Sequence, residues 1–464
     1  MVTITFTNSK SGKEEIFEPI NPQNVRLYVC GPTVYDRAHL GNARPVVVFD
    51  ILYRLLQHVF GKQNVSYARN ITDIDDKIIE RAGIENVAID VLTRTTHRWF
   101  RDDMAELGVD YRDDPRFFEP RATEYIDEML RMITGLIAQG HAYEAERHVL
   151  FSVESYSDYG CFSGRSVEDM IAGSRVEVAP YKKNPMDFVL WKPSADDQPG
   201  WESPWGFGRP GWHIECSAMS HALLGESFDI HGGGADLKFP HHENEIAQSK
   251  CFSPNSDFAR YWLHNEMLQV DGKKMAKSVG NFFTVRDLLD QSIPGEVIRF
   301  VLMSTHYRKP MDWTQKKIRD ARTILRKWHD MTMDVSAGTP PHAIVEALAS
   351  DLNTAAALAE LHRLASEGDV QGLKSGADFL GLLQSGSDGW LNADPENVDS
   401  RLVEKVEYWI NRRAAARADK NYSRADEIRA NLASIGIMIT DSPNGTTWEQ
   451  DLEHEHLGNW EMLE

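Results

Sequence analysis

The chain has 464 residues, of which 42% are hydrophobic and 26% are charged, and its formal net charge is −20. This composition is typical of a soluble globular protein with two to four domains, and the negative charge argues against non-specific adhesion to nucleic acid. The first ten residues lack the basic and apolar segments of a secretion signal, and no apolar run is long enough to span a bilayer. We therefore expect a cytoplasmic protein that does not contact membranes.

The first half of the chain alternates predicted strands with predicted helices. Predicted strands cover residues 2–7, 25–29 and 65–71, and predicted helices cover residues 46–60, 84–107 and 120–139. Pro45 fits the first turn of the first helix. The alternation predicts a doubly wound α/β domain, in which Cys30 and His39 follow a parallel strand and face a nucleotide-binding crevice.

An acidic segment follows the third predicted strand. Asp73, Asp75 and Asp76 could suggest a calcium loop, but the glycine and the distal glutamate of such a loop are missing. N-capping of a helix that starts near Lys77 is the favoured alternative. A region rich in proline, glycine and tryptophan then spans residues 148–211, and its apolar segment 188–191 predicts a packed insertion between two halves of a sheet.

The second half of the chain contains several polar motifs at predicted strand and helix ends. Residues 211–219 predict a turn that opens a helix, and residues 228–236 predict a strand that runs into a glycine turn. Three successive glycines allow positive φ there, and a flexible loop is the alternative. His241 and Glu245 are spaced i, i+4, so both side chains lie on one face of a helix. That spacing suits two ligands of one metal, although a polar first helical turn is the alternative.

Two of the four widely spaced cysteines complete a possible metal site. Cys30 and Cys216 would join His241 and Glu245 at one crevice, and a set of sulfur, nitrogen and oxygen ligands is typical of zinc. His242 could replace His241 as the imidazole ligand, so the sequence leaves that choice open. Cys161 and Cys251 fit no disulfide framework.

A lysine-rich loop follows the metal-site residues. Asp271-Gly272-Lys273-Lys274-Met275-Ala276-Lys277-Ser278 contains two lysines three residues apart that could both reach a polyphosphate. A charged loop in solvent is the alternative, and the His39 motif upstream favours the phosphate-binding interpretation.

These motifs together resemble those of the class I aminoacyl-tRNA synthetases. His39-Leu40-Gly41-Asn42 and Lys274-Met275-Ala276-Lys277-Ser278 are similar to the two signatures of that class, with departures at Asn42 and Ala276. Within the class, the chain resembles the cysteinyl-tRNA synthetases over essentially its whole length. The resemblance is carried by residues 28–33, 69–76, 185–188, 211–219, 231–236 and 241–245.

The resemblance implies a role for each site residue. It assigns zinc to Cys30, Cys216, His241 and Glu245. It assigns catalysis to His39, Lys274 and Lys277, and ATP contacts to His39, Gly41, Asn42, Asp236, Lys277 and Ser278. It assigns the amino-acid pocket to Gly31, Thr33, Thr72, Trp212 and His231. Mg²⁺ would accompany ATP.

The activity implied by the resemblance has two steps. The carboxylate of cysteine attacks the α-phosphate of ATP, which gives cysteinyl adenylate and releases pyrophosphate. The cysteinyl group is then transferred from the adenylate to the 3′ end of tRNA(Cys), and AMP leaves. Zinc would favour cysteine over serine because a thiolate is the better ligand. Two alternatives remain: a ligase that passes cysteine to an amino sugar in thiol-cofactor synthesis, and a non-catalytic binding protein derived from a synthetase.

The last third of the chain is predicted to be helical, with helices at 316–333, 344–367 and 402–435. A basic stripe that could face RNA comprises Arg412, Arg413, Arg417, Lys420 and Arg424. Trp448 could stack on a base or pack within a hairpin. The predicted fold is thus a Rossmann-like doubly wound parallel sheet, split by an inserted connective domain and followed by a C-terminal α-helical bundle.

We expect four parts and a monomer. The parts are residues 1–119 and 211–315 for the two halves of the catalytic domain, 120–210 for the insertion, and 316–464 for the tRNA-binding region.

Overall fold

The structure is a computed structural model that describes residues 2–165, 179–276, 279–384, 400–419, 421–442 and 445–450. The chain divides into two compact units, residues 1–387 and residues 388–464, and each is described by itself. Among the described residues, no helix combines the length and apolar character that a membrane crossing requires.

A five-stranded sheet, in which every pairing is parallel, forms the centre of the first unit. Its strands, in spatial order, are Phe258–Asn265, Ser227–Gly234, Val25–Val29, Val65–Arg69 and Phe117–Phe118. The chain therefore builds outward from Val25–Val29 in one direction and later returns to pair on its other side, which is the order of a doubly wound sheet. The predicted α/β fold is confirmed, and a crevice is expected where the strand order reverses.

The long helix Leu40–Phe60 packs on this sheet and starts earlier than the sequence predicted. The prediction placed Pro45 in the first turn, but Pro45 lies inside the helix. The start is moved because the His39 backbone N–H donates to Asn42 Oδ1 at 3.2 Å, which satisfies one group at the helix N-terminus. His39 and the glycine that follows are thereby placed at the start of a helix next to the crevice.

Other predicted helices are divided in the structure. The predicted helix 84–107 is two helices, because Asn86 takes a left-handed conformation with φ 53° and ends the first of them. The helices of the first unit that follow Leu40–Phe60 are Asp76–Glu85, Ile89–Glu106, Ile126–Ala138, Trp212–Leu224, Glu243–Phe252, Val285–Asp290, Gly295–Met303, Gln315–Thr332, His342–Ala349, Thr354–Glu367 and Val370–Phe379. The predicted helix 344–367 is likewise broken, at Asp351 and Leu352, where φ is positive.

The predicted glycine turn is wrong, because Gly232, Gly233 and Gly234 continue the strand Ser227–Gly234 with no positive φ. Their small size is required instead by close packing: a Cβ on Gly232 would lie 2.3 Å from the Phe49 ring. The strand Ser227–Gly234 and the long helix can therefore approach each other closely at the edge of the crevice.

Smaller sheets complete the first unit. Four antiparallel strands, Ala142–Ala145, His148–Phe151, Phe188–Pro193 and Gly208–Pro210, lie in the region predicted to be an insertion. The strands Thr5–Asn8 and Lys13–Ile16 form a hairpin. A three-stranded sheet is formed by Leu268–Val270, Lys273–Lys274 and Met311–Trp313, and it holds the start of the lysine-rich loop.

The second unit contains the helices Ser400–Ala418 and Tyr422–Ser434 and the antiparallel strands Ile437–Ser442 and Gly445–Gln450. The predicted helix 402–435 is therefore broken, and the predicted bundle ends in a β-hairpin. Trp448 packs against the apolar core of this unit. Arg413 is only 4% exposed, so its place in the predicted basic stripe is wrong, whereas Arg412 and Arg417 are exposed.

Candidate active site

A cavity of about 420 Å³ opens where the strand order of the parallel sheet reverses. Cys30 and Gly31 follow one of the two adjacent strands and line the cavity, and Gly234 and Asp236 line it from the end of the other. Both strands point their carboxyl ends at the same space, so this is the crevice expected for a ligand in a doubly wound fold.

The start of the long helix forms one wall of the cavity. His39, Gly41 and Asn42 all line it. The His39 ring folds back over the helix, and a Cβ on Gly41 would lie 2.9 Å from that ring. Glycine is therefore the residue that lets His39 turn across the helix N-terminus, where backbone N–H groups favour an anion.

The lysine-rich loop approaches the same wall. Lys274 and Met275 line the cavity, and the Met275 methyl lies 3.6 Å from the Cβ position of Gly41. Asn281 holds the loop, because its side chain accepts from the Ala276 backbone N–H at 2.9 Å and donates to the Lys274 carbonyl at 3.2 Å. The two signature segments thus line the same cavity. The lysine-rich segment is described only as far as Ala276, and Lys277 and Ser278 lie outside the described residues.

The four predicted metal ligands converge behind the cavity. Cys30, Cys216, His241 and Glu245 each contribute one ligand atom, and these atoms lie within 4.8 Å of one another. The two Sγ atoms are 3.7 Å apart. Two sulfurs that bind one tetrahedral ion at about 2.3 Å would lie about 3.8 Å apart, so this spacing fits zinc.

The histidine and the glutamate of this cluster also fit a metal. His241 Nε2 is buried and makes no hydrogen bond with suitable geometry, although it lies only 2.9 Å from Glu245 Oε1. The other ring nitrogen, Nδ1, lies 2.9 Å from His213 Nδ1. A ligand histidine is commonly held in this way, with one nitrogen on a supporting group and the other directed at the ion.

Burial and neighbouring charges set the ionisation of the cluster. Burial raises the pKa of Cys30 well above its usual value, and Cys216 raises it further. Burial also opposes ionisation of Cys216, but the hydrogen bond from Cys30 and the nearby His241 lower its pKa to about 6. One thiolate is therefore available at neutral pH, and thiolate is the form that binds a metal.

The carboxylate of Glu245 is ionised despite its burial. Burial alone would raise its pKa, but His231 and His241 hold it well below its usual value. Glu245 acts against the effect of burial on His241 and raises the pKa of that imidazole to about 10. The negative charge of Glu245 and the positive charge of His241 thus stabilise each other in a buried site.

A second group of ligand atoms overlaps the first. Cys30 and Glu245 also lie within 4.8 Å of ligand atoms on His231 and His242. His242 Nε2 is 3.4 Å from Cys30 Sγ, and its Nδ1 is 2.8 Å from His264 Nε2. The structure therefore places three histidines, His231, His241 and His242, near the possible ion, whereas the sequence left a choice between His241 and His242.

The residues predicted for the amino-acid pocket fall into two groups. Gly31, Thr33 and Trp212 line the cavity, whereas Thr72 and His231 are buried outside its lining. Trp212 stacks on His241 with ring centroids 4.1 Å apart, so it lies between the cavity and the ligand cluster. Thr72 donates to Glu215 Oε2 at 3.2 Å.

Each carboxylate of the acidic segment has a structural role. Asp75 caps the helix Asp76–Glu85 by accepting from the Lys77 backbone N–H, so the N-capping interpretation is confirmed. Asp73 accepts from Arg121 and Thr123, and Asp76 pairs with Lys192 and Arg209.

Several residues that support the site were not among the predicted site residues, although Asn70 and His213 lie within the segments that carry the resemblance. Asn70 Oδ1 accepts from the Gly31 backbone N–H at 2.8 Å, and a Cβ on Gly31 would lie 1.7 Å from the Asn70 carbonyl oxygen. His213 and His264 each contact a histidine of the cluster. Their separation in the sequence hides these contacts, and only the dense histidine content of the second half could have indicated them.

Comparisons with known proteins show what the whole chain is similar to. A family model described as "tRNA synthetases class I (C) catalytic domain" matches residues 16–323, and one described as "Cysteinyl-tRNA ligase anticodon binding domain" matches residues 399–448. The chain is 60% identical over 447 residues to a protein named cysteine–tRNA ligase of Ruegeria sp. (strain TM1040), with 96% of each chain covered. It is 58% identical to the protein of that name from Paracoccus denitrificans, also with 96% of each covered.

Among solved structures, the methionyl-tRNA synthetase of Mycobacterium tuberculosis in complex with methionyl-adenylate is similar, with a TM-score of 0.53. Its sequence identity is 13%, and the match covers 89% of this chain and 90% of that one. At that identity the similarity concerns the fold alone.

Proposed function

The chain belongs to the cysteine–tRNA ligase family of the class I tRNA synthetases, and from this premise we propose how its residues perform the reaction. The crevice joins cysteine to ATP, and the activated cysteine passes to the 3′ end of tRNA(Cys). The observation that carries this proposal is one cavity lined by His39 and Lys274 on one side and by Cys30 on the other.

The ATP triphosphate lies between the helix start and the lysine-rich loop. Phosphoryl chemistry of this kind depends on positioning and on charge stabilisation. His39 and the helix N-terminus bind the phosphates, and Gly41 and Asn42 form the surface beneath them. Lys274, together with Lys277 and Ser278, neutralises charge on the α-phosphate and the leaving pyrophosphate, with Mg²⁺ bound to ATP. Asp236 contacts the adenosine.

The cysteine side chain lies at the opposite end of the cavity. Cys30, Cys216, His241 and Glu245 would hold zinc, because they supply two sulfurs, one nitrogen and one oxygen at suitable spacing. Zinc bound there would supply a Lewis-acidic centre that favours a thiolate over a hydroxyl, and so cysteine over serine. Gly31, Thr33 and Trp212 enclose the substrate, while Thr72 and His231 support that pocket from behind.

The second unit binds the anticodon end of tRNA(Cys). Its match to an anticodon-binding domain, the exposed Arg412 and Arg417, and the half-buried Arg424 support this role. Lys420 belongs to the same proposed surface but lies outside the described residues. After activation, the terminal 2′-hydroxyl of the tRNA attacks the acyl carbon, and AMP leaves.

The remaining expectations are also part of this proposal. The protein acts as a monomer in the cytoplasm, and its four functional parts are residues 1–119, 120–210, 211–315 and 316–464. The amino-sugar ligase is disfavoured because such an enzyme would not need the anticodon-binding region matched at residues 399–448. A non-catalytic binding protein has only Asn42 and Ala276 in its favour.

Two assays on the purified chain test the proposed function. Cysteine-dependent exchange of pyrophosphate into ATP measures activation, and esterification of cysteine to tRNA(Cys) measures transfer. We expect both activities. Exchange without transfer to tRNA would favour the amino-sugar ligase, and a folded, zinc-loaded protein without exchange would favour the binding protein.

A further inference from the structure

Arg44 is a buried arginine that follows the His39 signature within the same helix. It is 1% exposed, and it lies beside the cavity that His39 and Lys274 line. Its guanidinium donates to four backbone carbonyl oxygens. The acceptors are Glu266 and Met267 for Nη1, and His306 and Lys309 for Nη2, with the Met267 and Lys309 bonds at 3.1 and 2.8 Å.

The four carbonyls belong to two chain segments that enter one small sheet. Glu266 and Met267 immediately precede the strand Leu268–Val270, and His306 and Lys309 precede its parallel neighbour Met311–Trp313. The first of these strands also pairs with Lys273–Lys274, where Gln269 lies opposite Lys274. The guanidinium therefore fixes the base of the sheet from which the lysine-rich loop extends.

The chemistry of the contact requires an arginine. Each terminal nitrogen serves one segment, and the planar fork sets the distance between the two segments. Burial lowers the pKa of Arg44 to about 10, and the Glu266 charge acts in the opposite direction, so the side chain is cationic at neutral pH. Carbonyl dipoles stabilise this buried cation, and a lysine ammonium at one point could not reach both pairs of oxygens with the same geometry.

We propose that Arg44 is a positioning residue for amino-acid activation, which holds Lys274 at a fixed distance from His39 and Gly41 across the ATP site. This inference rests on the proposed function and goes beyond it, because neither signature includes Arg44. The four carbonyls to which its guanidinium donates all belong to the two segments that enter the small sheet. Its loss should therefore disturb ATP, which spans both signature segments, and leave the binding of cysteine unchanged.

Arg299 offers a matched control. It is fully buried, lies in the helix Gly295–Met303, and donates to the carbonyls of Leu380 and Leu107 and to Asp50. Arg299→Lys thus removes a comparable buried fork from the same unit, but one that contacts neither signature segment. Arg44→Lys and Arg299→Lys should both lower the thermal stability.

The test compares steady-state pyrophosphate exchange for the two variants and the unaltered, zinc-loaded chain. We expect Arg44→Lys to reduce kcat/KM for ATP by roughly 10- to 100-fold, the range that follows from displacing a reacting group by about 1 Å, with KM for cysteine unchanged. Arg299→Lys should leave both constants within about threefold. If Arg44→Lys does not fold, Arg44→Gln replaces it, since the amide keeps some donors without the buried charge.

Two results would overturn the inference: equal effects of the two substitutions on the ATP constants, or an Arg44 variant whose KM rises for cysteine as much as for ATP. Titration calorimetry of ATP alone separates this inference from the proposed function. Should the unaltered chain bind ATP but catalyse no exchange, the proposed function fails. The role of Arg44 is then tested by whether Arg44→Lys weakens ATP binding more than Arg299→Lys does.

Discussion

Glu245→Gln should release the metal while leaving the fold intact. The carboxylate is fully buried, with Oε1 2.9 Å from His241 Nε2 and Oε2 2.9 Å from His231 Nε2. Glutamine has nearly the same shape but no charge, so it removes one anionic ligand from the cluster. We expect zinc affinity to fall by about 100-fold or more, because even residues outside the ligand set typically change it by 10- to 100-fold.

Glu243→Gln is the matched control for this prediction. Glu243 lies in the same helix, is 1% exposed and accepts from the backbone N–H groups of Gly160 and Ser163 at 2.9 and 2.7 Å. Glu243→Gln removes two charge-assisted hydrogen bonds, and Glu245→Gln removes the one from His231 together with the charge attraction of His241, so each should cost the metal-free chain about 3 kcal/mol in its free energy of unfolding. Only Glu245→Gln should change zinc affinity.

The assay is competition for zinc with a coloured chelator, combined with urea unfolding of the metal-free proteins. Equal zinc affinity in Glu245→Gln and in the unaltered chain would show that Glu245 is not a ligand. Equal loss of zinc in both variants would show that general damage to the helix, and not ligation, explains the effect.

Three further outcomes are expected. Gly31→Ala should reduce pyrophosphate exchange at least about tenfold, because the alanine Cβ would lie 1.7 Å from the Asn70 carbonyl oxygen and displace the strand end that carries Cys30. Unchanged exchange would refute this prediction. Burial raises the pKa of Glu119, but a hydrogen bond from His97 and the Arg69 charge lower it to about 2. The ionised Glu119 should therefore stabilise the folded chain by up to about 3 kcal/mol above pH 4.5, and this stabilisation is lost as the pH falls towards 2. Urea unfolding of Glu119→Gln should accordingly differ from the unaltered chain most at neutral pH, and a difference that grows in acid would contradict the assignment. Asn281→Ala should raise KM for ATP without changing KM for cysteine, because the Asn281 side chain holds the lysine-rich loop by two hydrogen bonds. An equal rise in KM for both substrates would show that Asn281 does not position this loop for ATP.

The sequence was most informative where local chemistry and local structure agree. The strand Val25–Val29 was predicted with its observed bounds, because an apolar run ends there at a glycine and a proline. N-capping by the acidic segment was predicted for a helix that starts near Lys77, because aspartate is favourable at that position, and Asp75 is the residue that caps it. The four possible zinc ligands could be grouped before any geometry was available, since few metals favour two sulfurs with one imidazole and one carboxylate.

Packing between distant segments could not be predicted in this way. The glycines at 232–234 suggested a turn, but Phe49 on another element makes one of them necessary within a strand. Arg413 carries the positive charge expected of an RNA-facing residue, yet it is buried in the second unit. Arg44 has no local signal at all, because its four partners are carbonyl groups more than 200 positions along the chain.

The choice of histidine ligand illustrates the same limit. His241 and His242 are adjacent in sequence, and both face Glu245 in the structure, with Nε2 at 2.9 and 4.0 Å from Oε1. The shorter distance and the absence of another hydrogen bond at His241 Nε2 favour His241. Side-chain direction at the start of one helix separates the two histidines, and periodicity does not specify it.

The most direct test of the account is the selectivity for cysteine over serine in pyrophosphate exchange, measured on the zinc-loaded chain and again after the metal has been removed by a chelator. We predict strong preference for cysteine with zinc, loss of cysteine-dependent exchange on chelation, and recovery when zinc is restored. Full exchange with cysteine, and unchanged discrimination against serine, in the chain without metal would contradict the proposal that this cluster selects the substrate through zinc.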